Sequence, residues 1–339
     1  MDQIKFGIIG TGRIIAKFCR AFNQGLVSGG SVLAVASRDI NRAKESAAAN
    51  GISRAYGSYE ELLEDRDIDI VYIAVTNEMH FSCCEMAIRA GKHIICEKPL
   101  TTCAADARKL AALAKDAGVF LMEAMWTCFL PAVRKAQEWI KEGRIGEPCS
   151  MRASLCAHRE PAEYPRLYDP DKGAGTALDL GIYCLQLAGF FAGDRSLLDC
   201  KSIVIPGECG VDITDFILLE YTGGFTADLS CSINFFAVNE AYIFGETGCI
   251  RIAPWFNAAE SSELFTLIGA DGAVLREPLP AEKFNAASGF EFEIIHALEC
   301  VRGGKLQSDV VPLSKTIEAM EIIDRVRASA LLPGQSAPR

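Results

Sequence analysis

Short aliphatic runs alternate with helical patterns through the first 123 residues, and few folds accept such a chain. Residues 4–9, 32–36, 70–75, 93–96 and 119–122 read as buried strands. Between them, 13–24, 41–49, 80–90 and 102–117 read as helices, the last two stopped by Gly91 and Gly118. Strands that are apolar on both faces need cover on both faces, which demands a parallel sheet with helical crossovers. Such crossovers are right-handed, so the expected architecture is a doubly wound α/β sheet of the Rossmann type.

The pattern changes after Glu123. One more helix, 131–142, stops at Gly143, and strand alternation then takes over. Phe225, Ala227, Leu229, Cys231 and Ile233 alternate with Thr226, Asp228, Ser230 and Ser232, burying one face and leaving the other polar. Residues 215–221, 242–244 and 249–252 read as its partners, and short turns between them imply an open, mostly antiparallel sheet. Two amphipathic helices, 290–301 and 313–331, close the chain, the second striped by Ile317, Met320, Ile323 and Val326. The tail from Pro333 is expected to be loose. A chain of 339 residues divides naturally in two. The expected domains are 1–123, the parallel sheet, and 124–339, an α+β domain for substrate binding and oligomerisation.

Composition narrows the partners. Formal charge is −10, from 34 basic and 44 acidic residues without a basic run, so no cationic face for nucleic acid is expected. The 14 cysteines include no Cys-x-x-Cys, and Cys96, Cys184, Cys231 and Cys300 sit in apolar stretches, as thiols of a reduced interior do. Neither a basic leader after Met1-Asp2-Gln3 nor an apolar run of membrane-spanning length is read, so a cytoplasmic protein is expected.

Gly7-Ile8-Ile9-Gly10-Thr11-Gly12 closes the first strand and opens the first helix at Arg13 and Ile14. Glycines there let the backbone turn sharply toward a pyrophosphate, which the helix N-terminus then holds through unpaired N–H groups. Ile15 stands where the glycine fingerprint wants Gly or Ala, but the turn is the first βα turn of an alternating region, where the fingerprint belongs. The second strand ends Ala36-Ser37-Arg38-Asp39. Ser37 and Arg38, with Arg42 one helical turn on, suit the 2′-phosphate of NADP, whereas Asp39 turned inward would suit NAD. Glu97-Lys98-Pro99 follows a strand at the same sheet edge, where Lys98 is placed to bond a hydroxyl and to depress a neighbouring acid's pKa. Asp179 and Tyr183 share a helix face by their four-residue spacing, as an acid/base pair for a hydroxyl proton or as ordinary helix residues.

The Gly10-Thr11-Gly12 turn, Glu97-Lys98-Pro99 and Asp179-x-x-x-Tyr183 together resemble the glucose-fructose oxidoreductase, inositol dehydrogenase and rhizopine-catabolism (Gfo/Idh/MocA) family, over nearly the whole chain. Residues 122–127 and 179–184 are similar to the branch of dimeric dihydrodiol dehydrogenases and NADP-dependent pyranose dehydrogenases. The resemblance implies hydride transfer between a nicotinamide and a CH–OH or C=O carbon of a small cyclic polyol, sugar or trans-dihydrodiol. It implies a cis peptide before Pro99, Lys98 and the general acid/base Tyr183 at the reacting centre, Asp179 orienting substrate, and Trp126 near the nicotinamide ring. Ser37, Arg38 and Arg42 would hold the 2′-phosphate, and a homodimer or higher homo-oligomer would form through the open sheet. The loop Thr76-Asn77-Glu78-Met79-His80 departs from the family's proline and asparagine there. Thr76, Asn77 and His80 are nonetheless read as cofactor contacts with Glu97. His158, after a strand-like 151–157, is a candidate substrate contact; His93 and His296 read as structural. No metal site is expected, because no histidine is read as having a ligand partner at suitable spacing. A non-catalytic dinucleotide sensor is the alternative on the same fold.

Overall fold

Residue by residue, the expected alternation becomes β1 (Ile4–Ile9), α1 (Ile14–Asn23), β2 (Gly30–Ala36), α2 (Ile40–Asn50), β3 (Arg54–Tyr56), α3 (Tyr59–Glu64), β4 (Ile70–Ile73), α4 (Asn77–Arg89), β5 (His93–Glu97), α5 (Ala104–Ala117) and β6 (Leu121–Ala124). This is a computed structural model, and it describes residues 3–268, 273–278 and 289–329. The six strands pair in parallel in the order β3-β2-β1-β4-β5-β6, the doubly wound arrangement. Strand order reverses beside β1, so the crevice for a ligand opens where β1 and β4 end. Phe18 of α1 stacks on Tyr72 of β4 at 3.9 Å between ring centroids, anchoring the helix over the sheet.

β3 and α3 were not anticipated. A three-residue strand has no period to read, but Ser58 caps α3 and Glu61 reaches back to the residue before it: Glu61 N–H donates to Ser58 Oγ at 3.1 Å, and Gly57 N–H to Glu61 Oε2 at 3.0 Å. That Ser-x-x-Glu spacing was available as a signal.

The chain continues through α6 (Pro131–Lys141), β7 (Pro148–Cys156), α7 (Ile182–Ala192), β8 (Leu197–Pro206), β9 (Asp212–Tyr221), β10 (Thr226–Ser232), β11 (Ala241–Gly245), β12 (Gly248–Ile252), β13 (Ser262–Ile268) and β14 (Ala273–Pro278). It closes with α8 (Phe290–Arg302) and α9 (Leu313–Ser329). β7 to β14 form one sheet ordered β14-β13-β12-β11-β7-β10-β9-β8, antiparallel except where β10 runs parallel to β7. β10 alternates as its sequence demands, with Ala227, Leu229 and Cys231 buried and Thr226 and Asp228 exposed.

Two expectations need correction. The described chain divides into 3–126 with 289–317 and 127–268, 273–278 with 318–329, rather than at residue 123 alone. α8 belongs with the parallel sheet: Arg302 donates to the Gly29 carbonyl at 2.5 Å, and Leu298 sits 3.2 Å from where a Gly30 side chain would begin. One stretch, Pro170–Ala192, is long and apolar enough to cross a membrane, contrary to expectation. Protein buries 83% of that window, so its apolarity is that of an enclosed core helix. The tail from Pro333 lies outside the described residues.

Gly10 has φ +112°, and a Cβ there would lie 2.4 Å from the Ala74 carbonyl oxygen. Both the left-handed backbone and the clash exclude a side chain. Gly10→Ala is therefore expected to cost about 1–3 kcal/mol of folding stability, read as a lower urea midpoint; an unchanged midpoint would contradict this geometry.

Candidate active site

Parallel strands bring their carboxyl ends to one edge. Gly10 after β1, Ser37 after β2, Thr76 after β4, Lys98 after β5 and Trp126 after β6 all lie along it. At the first of these, the Gly10 N–H is tied to the Ala36 carbonyl at 3.0 Å, while Gly12 and Arg13 are exposed. Among the described residues no side chain caps α1, which leaves the N–H groups at its start without a side-chain acceptor, the condition under which a helix N-terminus can take an anion. A Cβ on Gly12 would touch nothing nearer than 3.7 Å, leaving backbone accessible to a phosphate. Ile15, the departure from the fingerprint, is buried in the core behind this turn.

Asp39 is spent locally. It is the N-cap of α2, its Oδ1 accepting from the Asn41 N–H at 2.8 Å. Ser37 is buried beside it, and Arg38 and Arg42 are exposed. Both guanidiniums act on Tyr59, whose pKa is raised by burial and held back by Arg38 and Arg42. Two cations, a serine and a phenol thus share one corner of the edge, a donor set suited to a phosphate; Tyr59 was missed because its helix was.

The Glu97-Lys98-Pro99-Leu100 loop is fastened on three sides. Glu97 Oε1 accepts a short hydrogen bond from the buried Tyr72 hydroxyl. The Pro99 carbonyl lies 2.7 Å from His80 Nδ1, and Leu100 N–H donates to Glu123 Oε1 at 2.9 Å. Glu123, fully buried, also accepts from Thr316 Oγ1 at 3.0 Å. The Lys98–Pro99 peptide is cis, as expected. Burial raises the Glu97 pKa against the opposing pull of Tyr72 and Lys98. Glu293 on α8, also buried, is pushed well up by desolvation and then by Glu97.

His80, read as a cofactor contact, serves the protein instead. It is buried, with Nδ1 on Pro99 and Nε2 3.2 Å from the Val75 carbonyl, and desolvation lowers its pKa. Thr76 precedes α4 with its hydroxyl on Glu78 at 2.7 Å, and Asn77 is buried. Trp126 is mostly buried, 5.3 Å from the Phe290 ring.

In the second unit, Asp179 lies in a π-helical turn, Ala177–Gly181, that leads into α7 and Tyr183. Every other residue from Gly173 to Gly189 is buried; Asp179 and Tyr183 are partly exposed. A core helix thus opens to solvent at one carboxylate and one phenol, and π turns recur at functional sites. Arg166 Nη2 donates to Asp179 Oδ1 at 3.3 Å. His158 is exposed in the same unit, with Nδ1 on the Asn234 carbonyl at 2.9 Å and Nε2 on Glu160 at 2.7 Å, contacts that raise its pKa. His93 is structural, accepting from the Phe120 N–H at 3.0 Å.

The premise about metal ligands is corrected at His296. Its Nε2 lies 3.3 Å from Cys300 Sγ, one helical turn on, and 3.5 Å from Asp309 Oδ1. Ser308 Oγ already meets that nitrogen at 2.8 Å and Lys305 Nζ meets Asp309 at 2.8 Å. A cation would displace the serine and face the ammonium, so the cluster is assigned no metal.

Fold and edge chemistry together define a class, a Rossmann-type oxidoreductase with an appended α+β unit. Residues 4–125 match the model of the oxidoreductase family with an NAD-binding Rossmann fold, and 133–251 match the GFO/IDH/MocA C-terminal domain. The trans-1,2-dihydrobenzene-1,2-diol dehydrogenase of Mus musculus is 34% identical over 326 residues, covering 96% of each chain. The human enzyme of that name is 32% identical over 325 residues, again with 96% of each covered. Among solved structures, a 3-ketoreductase from Actinomadura kijaniata in complex with NADP and TDP-benzene superposes with TM-score 0.81 at 27% identity, over 96% of this chain and 98% of that one. A levoglucosan dehydrogenase in complex with NADH and levoglucosan shares the fold, with TM-score 0.87 at 19% identity and 97% of each chain covered. The chain belongs to the GFO/IDH/MocA oxidoreductase family.

His80→Leu removes the donor from the buried Pro99 carbonyl, at a cost of about 1–3 kcal/mol. The expected outcome is a lower denaturation midpoint with faster amide exchange across 98–103. Wild-type values of both would reject the clamp.

Proposed function

We propose that the protein is an NADP(H)-dependent dehydrogenase of trans-dihydrodiols or small cyclic sugars, with Lys98, Tyr183 and Asp179 at the reacting centre. The observation that carries this reading is the exposure of Asp179 and Tyr183, one turn apart, on a helix otherwise buried. The dihydrodiol dehydrogenases, at 34% and 32% identity over nearly the full chain, support the diol class, the NADP-bound 3-ketoreductase supports NADP and a ketone carbon, and the levoglucosan dehydrogenase is why a sugar is kept beside the diol.

The α1 cradle around Gly10, Thr11, Gly12, Arg13 and Ile14 would hold the pyrophosphate, and Ser37, Arg38 and Arg42 the 2′-phosphate. With Asp39 engaged as a helix cap, the strand end presents cations rather than a carboxylate, which favours NADP over NAD. Thr76, Asn77, Glu97 and Trp126 would flank the nicotinamide half. When bound, the nicotinamide supplies the hydride acceptor or donor at its C4. On the oxidative path Tyr183, entering as its phenolate beside the Lys98 ammonium, takes the proton of the substrate hydroxyl and becomes the phenol; Lys98 stabilises the developing negative oxygen, and Asp179 orients a second hydroxyl. In reduction the same phenol returns the proton. His158 is the weakest member of the set, since both ring nitrogens are already engaged.

A homodimer through the open sheet face is part of the same reading. Ile203 and Ile205 of β8 and Phe216 and Leu218 of β9 are exposed there, with Ile203 and Leu218 at 69% and 57%. Apolar side chains clustered on one face mark an association surface. A reducing, cytoplasmic setting fits thiols as buried as Cys19 and Cys83, whose pKa values burial pushes up to about 12.

Tyr183→Phe should lower kcat by roughly 10²–10⁴-fold with unchanged NADPH affinity; wild-type turnover would remove Tyr183 from the reaction. Arg38→Ala should weaken NADPH, and not NADH, by roughly ten- to a hundred-fold in a fluorescence titration, and equal losses for both would return the cofactor to NAD. Phe216→Lys with Leu218→Lys should shift the light-scattering mass from dimer to monomer, whereas a monomeric wild type would end the dimer reading.

A further inference from the structure

Asp212 and Asp215, at the start of β9, are buried acids that the reaction above does not use. Asp212 Oδ2 accepts from the Ala177 N–H at 2.6 Å, the first residue of the π turn that bears Asp179. The approach is close enough that a Cβ on Gly175 would lie 2.2 Å from Asp212 Oδ1, at a φ of +106° that glycine accepts. At the other end of the turn, a Cβ on Gly181 would lie 3.2 Å from Cys231 Sγ of β10. Asp179 N–H closes the turn onto the Gly175 carbonyl at 3.2 Å. The two carboxyl groups share this burial and act on each other electrostatically, and two adjoining buried acids resist being ionised together.

We propose that Asp212 and Asp215 share one proton and serve as a positioning pair, fixing the Ala177–Gly181 turn so that Asp179 and Tyr183 stay aimed at substrate. This rests on the reading of those two residues as site residues. Asp212 carries the charge that suits a helix N-terminus, and Asp215 supplies the proton that lets a second acid sit beside it. Burial, and then the Asp212 charge, push the Asp215 pKa up to about 9. Burial also raises Asp212, opposed by the Ala177 N–H and the Asp215 proton. From the other elements packed here, Cys231 of β10 faces the pair, with Cys184 of α7 and Cys156 of β7 acting on Cys231 in turn, all three as thiols that burial keeps protonated. Arg327 of α9 acts on Asp212 as a cation. The raised pKa means that the folded state holds one proton more than the unfolded chain from the ordinary carboxylate range to about 9, so stability falls as pH rises through that window. Above it, two charges adjoin one N–H and the turn should loosen.

The test compares the full-length wild type with Asp215→Asn and Asp212→Asn from neutral to alkaline pH, reading kcat, the cofactor KM and amide exchange of residues 175–181 corrected for its intrinsic rate. In the wild type, exchange should rise and kcat should fall from its own neutral maximum above about pH 9. Asp215→Asn keeps a polar side chain of the same shape without the titration, so both limbs should move to higher pH. Asp212→Asn should lose about tenfold or more in kcat with the cofactor KM unchanged. An Asp215→Asn variant with the wild-type alkaline limb, or wild-type exchange that is flat across the window, overturns the proposal. If Asp212→Asn fails to fold, the other two proteins still decide. If the wild type turns over no diol or sugar, the assigned reaction fails, while the exchange profile still tests the pair.

Discussion

The hold on one loop is the constraint from which the rest follows. Lys98 sits where β5 leaves the sheet, and a flexible lysine there would be a solvated charge. Its backbone is instead tied down through the residues on either side, by Tyr72 at Glu97, His80 at Pro99 and Glu123 at Leu100. Each tie comes from a different element, so the loop is referenced to β4, α4 and β6 together. Buried polar groups of this kind are costly unless paired, and here the pairing converts that cost into position.

The second unit solves the matching problem by other means. α7 is apolar on every side and enclosed by protein, which makes it rigid but leaves little surface for chemistry. The widened turn at Ala177–Gly181 sets Asp179 and Tyr183 at the openings in that burial. The acid pair beneath the turn then holds what the helix itself cannot cap with a side chain.

Much of this was legible in the chain. β1 has the bounds its aliphatic run predicts, and the parallel pairing follows from the alternation, although the short β3 at the sheet's edge does not. β8 was missed because its most apolar residues, Ile203 and Ile205, lie on the exposed face, the reverse of a core strand. α8 was assigned to the wrong unit because its bond from Arg302 to Gly29 spans most of the chain, and no local pattern encodes that. Lys98, Asp179 and Tyr183 could be named from motifs, but their supports could not. Tyr72 and Glu123 look like ordinary strand residues, although a carboxylate within the run 119–124 was itself a sign that a buried partner must exist. His80 suggests a cofactor contact by its place at the edge, and only the packed structure reveals that it faces the loop.

Hydride transfer to a dinucleotide held on the α1 cradle is the central claim, and isotope transfer tests it most directly. A trans-dihydrodiol or cyclic sugar carrying deuterium on its carbinol carbon would be incubated with the protein and NADP+, and the recovered cofactor examined by mass spectrometry. Deuterium should appear in the reduced cofactor, and it should appear far more slowly with Tyr183→Phe. Cofactor that binds tightly yet is recovered oxidised and unlabelled with every such substrate would contradict the account.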